Sequence, residues 1–134
     1  MTSKAIYLGE LRVESTHLQS GQVILSDAPT DNNGKGQAFS PTDLVATALA
    51  TCLLTIMGIV AARHEWDIAG ATAAITKTMA SNPRRISKIE IVVHLAQKDL
   101  TEGNKKLLEN AALTCPVGQS LHPDLEQDIR FVWS

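Results

Sequence analysis

The sequence predicts an α+β fold in which paired strands flank one long central helix. Three observations predict it. The first third alternates apolar and polar residues at roughly period two, Leu44–Ala62 is an uncharged run of 19 residues, and strand-like and helical stretches alternate after it. At 134 residues the chain reads as a single domain, 1–134, long enough to bury a core.

The elements follow in order. "KAIYLGELRVEST" reads as a strand around Gly9, and "GQVILSDAP" as a second strand after Ser20-Gly21. "TDNNGKGQAF" is dense in Asn, Gly and Asp and reads as a loop. Ser40-Pro41-Thr42-Asp43 is a helix start: Ser40 suits the N-cap, Pro41 the first helical position, and Asp43 stands three after the cap. The helix should run to Arg63-His64, whose positive side chains suit the C-terminal dipole, over roughly 35 Å. "DIAGATAAITKTMA", a turn at Ser81–Arg84 and "RISKIEIVVHLAQ" make a second strand pair. "DLTEGNKKLLENAAL" follows as a helix with Leu107, Leu108, Ala111 and Ala112 on its apolar side. "TCPVGQSLHPDLE" reads as a turn and short helix, and "EQDIRFVW" as a closing strand.

Composition narrows the function classes. Only 4% of residues are aromatic against 44% hydrophobic, so the core must be aliphatic. A net charge of −2 gives no general attraction to nucleic acid. Arg84, Arg85 and Lys88 fit a solvated hairpin turn. "MTSKAIYLGELRVE" has no apolar run before its charges, so no signal peptide is expected and the default setting is cytoplasmic and reducing.

The central run is long enough to raise a membrane span. Thr47, Thr51 and Thr55 nevertheless draw a polar stripe along it, and the mean hydropathy of the chain is only +0.01. A core helix is therefore expected, with no membrane partner. A helix apolar nearly all round must be enclosed by protein, and two small sheets cannot enclose it from every side. A homodimer with a largely hydrophobic interface is the expected solution.

Cys52 and Cys115 are the only cysteines. Cys52, mid-helix among aliphatic neighbours, reads as a small core residue whose thiol is hard to ionise unless a cation reaches it. Cys115 precedes a proline at a helix start, where backbone N–H groups favour a thiolate, so it is the better candidate for a reactive thiol. Spacing alone does not show that the two meet. His17, His64, His94 and His122 lack metal-ligand spacing with each other or with the cysteines, so no metal is expected.

"SPTDLVATALATC", followed 63 residues after Cys52 by "CPVGQSL" at Cys115, resembles the family of osmotically inducible protein C and organic hydroperoxide resistance proteins (OsmC/Ohr). The resemblance implies an OsmC-like fold of antiparallel sheets around the long helix, in an intertwined homodimer with its sites at the subunit interface. It also implies a thiol peroxidase needing no cofactor. Cys52 would attack an organic hydroperoxide, or hydrogen peroxide, and become a sulfenic acid. Cys115 would resolve it to a disulfide, and a lipoyl or thioredoxin-like dithiol would restore both thiols. The family's activating arginine matches Arg12, the only arginine before the helix. Ohr-type members carry a glutamate after the helix-start proline to hold that arginine. This chain has Thr42 there, with Asp43 beside it in the capping position, so slow catalysis is expected from a less firmly directed Arg12. The second expectation is a non-catalytic dimer that binds a small apolar ligand in the interfacial pocket.

Overall fold

The computed structural model describes residues 1–96 and 99–134. The chain forms two compact units, Met1–Val45 and Ala46–Ser134. In the first, strands β1 (Ser3–Gly9), β2 (Arg12–His17) and β3 (Val23–Asp27) make an antiparallel meander in that order.

The sequence reading had merged β1 and β2 into one strand. The chain instead reverses at Glu10-Leu11, with φ of 53° and 64°, the double left-handed pair of a tight hairpin turn. Such turns are usually marked by Asn-Gly, and neither residue is present here. The Leu11 N–H donates to the Tyr7 hydroxyl at 3.2 Å, which supports the turn from within.

After β3 the loop folds back on itself through a short 3-10 turn at Thr30–Asn32. The Gly34 N–H donates to the Pro29 carbonyl at 2.9 Å, and that of Gly36 to the Ala28 carbonyl at 3.3 Å. A Cβ on Gly34 would lie 1.7 Å from the Ala28 oxygen, so only glycine permits this approach.

Helix α1 (Pro41–Arg63) begins in the first unit and runs on into the second. Its length and composition would suffice to cross a membrane, but Ala46, Leu49, Ala50, Leu53, Met57 and Ala61 form a buried stripe. In the second unit this stripe joins Ile89, Ile91 and Val93 of the sheet in one aliphatic cluster.

That sheet has the order β4 (Thr72–Ala80), β5 (Arg85–Leu95), β6 (Glu126–Trp133). β4 and β5 are the expected hairpin. The strand expected to reach Gln97 ends at Leu95, and Gln97 lies outside the described residues. β6 pairs with β5 in parallel, so this sheet is mixed where antiparallel pairing was expected. A parallel neighbour needs a long crossover, which α2 (Glu102–Ala112) and α3 (Pro116–Ser120) supply. Side chains alternate along β5: Ile89, Ile91 and Val93 are buried, while Lys88 faces outward 3.2 Å from Glu90.

The Thr101 hydroxyl caps α2 by accepting from the Asn104 N–H at 3.1 Å. The buried side of α2 is Lys105, Leu108 and Ala112, rotated from the expected stripe, and Leu107 is exposed. Lys105 buries its stem while its amine meets Glu102 at 3.0 Å and lies 5.8 Å from the centre of a Trp133 ring. The Trp133 indole donates to Glu109 at 2.9 Å, so α2 is tied to β6 by polar as well as apolar contacts.

Leu53→Ala should therefore cost about 2–5 kcal/mol in urea denaturation, because Leu53 sits at the centre of the aliphatic cluster. Thr76→Ala, on the solvated face of β4, should stay within about 0.5 kcal/mol of the parent.

Candidate active site

In the first unit, Arg12 opens β2 and stands directly opposite Asp27, the last residue of β3. Register places both side chains on one face of the sheet. Asp27 is only 1% exposed. Its N–H donates to the Phe39 carbonyl at 3.1 Å, and its Oδ2 accepts from the Gln37 N–H at 3.1 Å. Arg12 Nη2 lies 3.7 Å from the same Oδ2, and it also donates to Gln37 Oε1. The other carboxylate oxygen, Asp27 Oδ1, is buried without a hydrogen-bond partner among the described residues.

The sequence reading did not single out Asp27. In the sequence, Asp43 beside Thr42 is the named substitute for the expected glutamate, with any other carboxylate left unspecified. Asp43 completes a capping box: its N–H donates to Ser40 Oγ at 3.0 Å, and its Oδ2 accepts from the Ser40 N–H at 3.0 Å. Thr42 Oγ1 lies 3.2 Å from Ser40 Oγ, within the same cap.

In the second unit, Cys52 projects from the middle of α1, partly buried at the margin of the aliphatic stripe. Cys115 is the N-cap of α3 and is 1% exposed. The fold brings these two free thiols into each other's neighbourhood, near enough for Cys52 to act on the ionisation of Cys115. Cys115 Sγ also accepts from the Gly118 N–H at 3.3 Å.

That cap was expected to make Cys115 the readily ionised thiol. The structure corrects this: burial pushes the Cys115 thiol above its ordinary value, and the Gly118 N–H offsets only part of the effect. The neighbouring Cys52 pushes it in the same direction as burial.

Gly118 makes the room for this sulfur. A Cβ there would meet Gln127 Oε1 at 3.1 Å, Cys115 Sγ at 3.3 Å and Leu49 Cδ1 at 3.5 Å. The Gln127 side-chain amide donates to the Gly118 carbonyl at 3.0 Å and pins α3 to the sheet.

The histidines lie in local contacts. His17 Nδ1 is 2.6 Å from Ser20 Oγ, His64 stacks on Trp66 at 4.4 Å, and His122 Nδ1 accepts from the Asp124 N–H at 3.0 Å. His94 lies on the exposed face of β5. A separate apolar hollow of 370 Å³ opens beside the C-terminal end of α1, lined by Leu54, Gly58, Ala61, Trp66 and Ile68 among others.

Residues 34–129 match the sequence model of the family described as OsmC-like protein. Among solved structures, the chain is 52% identical to an osmotic stress induced and detoxification response protein from Psychrobacter arcticus. That match has a TM-score of 0.93 and covers 98% of this chain and 95% of the other. An organic hydroperoxide resistance protein OsmC from Legionella pneumophila shares 18% identity at a TM-score of 0.68, covering 100% of this chain and 97% of that one. The organic hydroperoxide resistance protein OhrB of Bacillus subtilis shares 19% identity at 0.63, covering 100% and 98%. At these lower identities the likeness is one of fold. A search of curated proteins finds no match.

The burial of Cys115 gives a titration to measure. In a Cys52→Ser variant, iodoacetamide should label Cys115 more slowly than glutathione at pH 8, with a midpoint at higher pH. The sign follows from the thiolate being the reactive form and burial disfavouring it. Labelling faster than glutathione would mean that the amide of Gly118 outweighs burial.

Proposed function

Because this chain belongs to the OsmC-like protein family, we propose that it is a cysteine-based peroxidase acting on organic hydroperoxides. The observation that carries the reading is that Cys52 and Cys115, far apart in sequence, are neighbouring free thiols in the fold. The more accessible Cys52 takes the attacking role. Its thiolate sulfur bonds to one peroxide oxygen as the O–O bond breaks, and the alkoxide leaves as the alcohol after gaining a proton. Cys52 is then a sulfenic acid. Cys115, as thiolate, attacks the Cys52 sulfur, hydroxide leaves as water, and the Cys52–Cys115 disulfide forms. An external dithiol, lipoyl or thioredoxin-like, reduces it. Arg12 serves as the cation that stabilises the Cys52 thiolate, in keeping with the resemblance.

The working form is a homodimer in the cytoplasm, where a reducing setting keeps the thiol pair cycling. Support for the dimer comes from apolar surface that one chain leaves open. Ile59 on α1 is 45% exposed, and Ile6, Leu8, Val23 and Ile24 are exposed on the first sheet. Sedimentation at micromolar concentration should give twice the mass of the chain; a folded monomer would remove this support.

One equivalent of cumene hydroperoxide should consume two thiols per chain and yield an intrachain Cys52–Cys115 disulfide. Cys52→Ser should abolish the reaction, and Cys115→Ser should leave a dimedone-reactive sulfenic acid at Cys52. Label at Cys115 in the Cys52→Ser protein would reverse the two roles. Inert thiols would favour the second reading, a dimer that binds a small apolar ligand, for which the hollow beside Trp66 is the supporting observation.

A further inference from the structure

We infer that Asp27 is the positioning residue for Arg12, supplying in this chain the carboxylate that Thr42 does not. The consequence for catalysis rests on the peroxidase reading; the clamp itself does not. The case begins with register. Arg12 and Asp27 are direct partners across β2 and β3, so the two side chains emerge on the same face without any loop having to bring them together.

Asp27 is itself held firmly. Its N–H is bonded to Phe39, its Oδ2 to the Gln37 N–H, and the loop that carries Gln37 is seated against Ala28 through Gly34 and Gly36. With Asp27 1% exposed and Arg12 27% exposed, the charges attract with little screening from water on the carboxylate side. Gln37 closes the arrangement, accepting from Arg12 through its side chain while donating to Asp27 through its backbone.

The orphaned oxygen sets the direction of the inference. A buried acceptor without a donor is costly, and more so on a charged group. Asp27 Oδ1 has no donor among the described residues, while a guanidinium with five N–H groups stands 3.7 Å from its twin oxygen. A rotation that brought Arg12 onto Oδ1 would satisfy it and turn the single contact into a two-point fork, the geometry for which guanidinium and carboxylate are matched. Asp27 thus fixes the direction of the Arg12 charge, and a charge held in place stabilises a developing anion better than a mobile one. A purely structural Asp27 would serve only to hold the Gln37 loop.

Asp27→Asn separates the two roles, because the amide keeps the shape and can still accept from the Gln37 N–H but carries no charge. The first readout is NMR of the Arg12 side chain, where hindered guanidinium rotation marks a clamped arginine. The second is the rate of Cys52 oxidation by cumene hydroperoxide, set in a cycle with Arg12→Ala. Asp27→Asn should free the rotation and slow oxidation about tenfold, yet change nothing further in the Arg12→Ala background. Unchanged rotation and rate in Asp27→Asn would overturn the inference, as would an equal loss in both backgrounds. If wild-type thiols are inert to peroxide, the peroxidase reading fails and the rotation alone decides the clamp. Should Asp27→Asn not fold, Gln37→Ala decides it. Hindered rotation retained there supports Asp27, and free rotation assigns the hold to Gln37 and overturns the inference.

Discussion

The packing of one stripe of α1 against β5 fixes the geometry on which the second unit depends. Leu49, Leu53 and Met57 recur every fourth residue and lie in one cluster with Ile89, Ile91 and Val93. This contact sets the rotation of the helix about its own axis. Cys52, one position before Leu53, is thereby turned to the margin of the buried stripe, neither sealed in the core nor fully exposed. At that margin its sulfur neighbours Cys115 while remaining partly exposed. The helix is apolar on nearly every side, so its own sequence provides little rotational preference; the sheet provides it.

The two thiols then differ by environment rather than by chemistry. Both are cysteines near the same cluster, but Cys115 is enclosed and anchored to the Gly118 N–H, while Cys52 retains access. Under the proposed peroxidase chemistry, an enclosed thiol beside its partner takes the second attack, where proximity replaces a large thiolate fraction. An accessible one suits the first. The charged pair of the first unit shows the same contrast of environments: Asp27 is buried and tied to the Gln37 loop, and Arg12, its partner across the strands, is partly exposed.

Local chemistry was legible in the sequence. The Ser40–Asp43 capping box, the limits of α1 to within a residue, the β4–β5 hairpin and the helix start at Cys115 all depend on neighbours a few residues apart. The failures share a different cause. The turn at Glu10-Leu11 carries no turn-forming residue, so period-two alternation ran straight through it. The parallel direction of β6 is decided by the crossover of α2 and α3, not by its own side chains. Asp27 looked like an ordinary strand-end residue because its meaning comes from lying opposite Arg12 in register. Cys115 misled for the same reason: the cap is local and was foreseen, whereas burial is a property of the folded whole and outweighed it.

Gly118 carries a constraint that its own chemistry does not suggest. It is not in a left-handed conformation and has no functional group, yet a methyl there would crowd Gln127 and Cys115 and lie in ordinary contact with Leu49. The space that it leaves empty is bounded by the Cys115 sulfur, the brace on α3 and the core stripe of α1. Evolutionary drift at residue 118 is therefore limited by two neighbours at once, Gln127 and Cys115. A larger residue would be accepted only with a compensating loss of volume or a shift at Gln127, so residues 118 and 127 should vary in concert rather than singly.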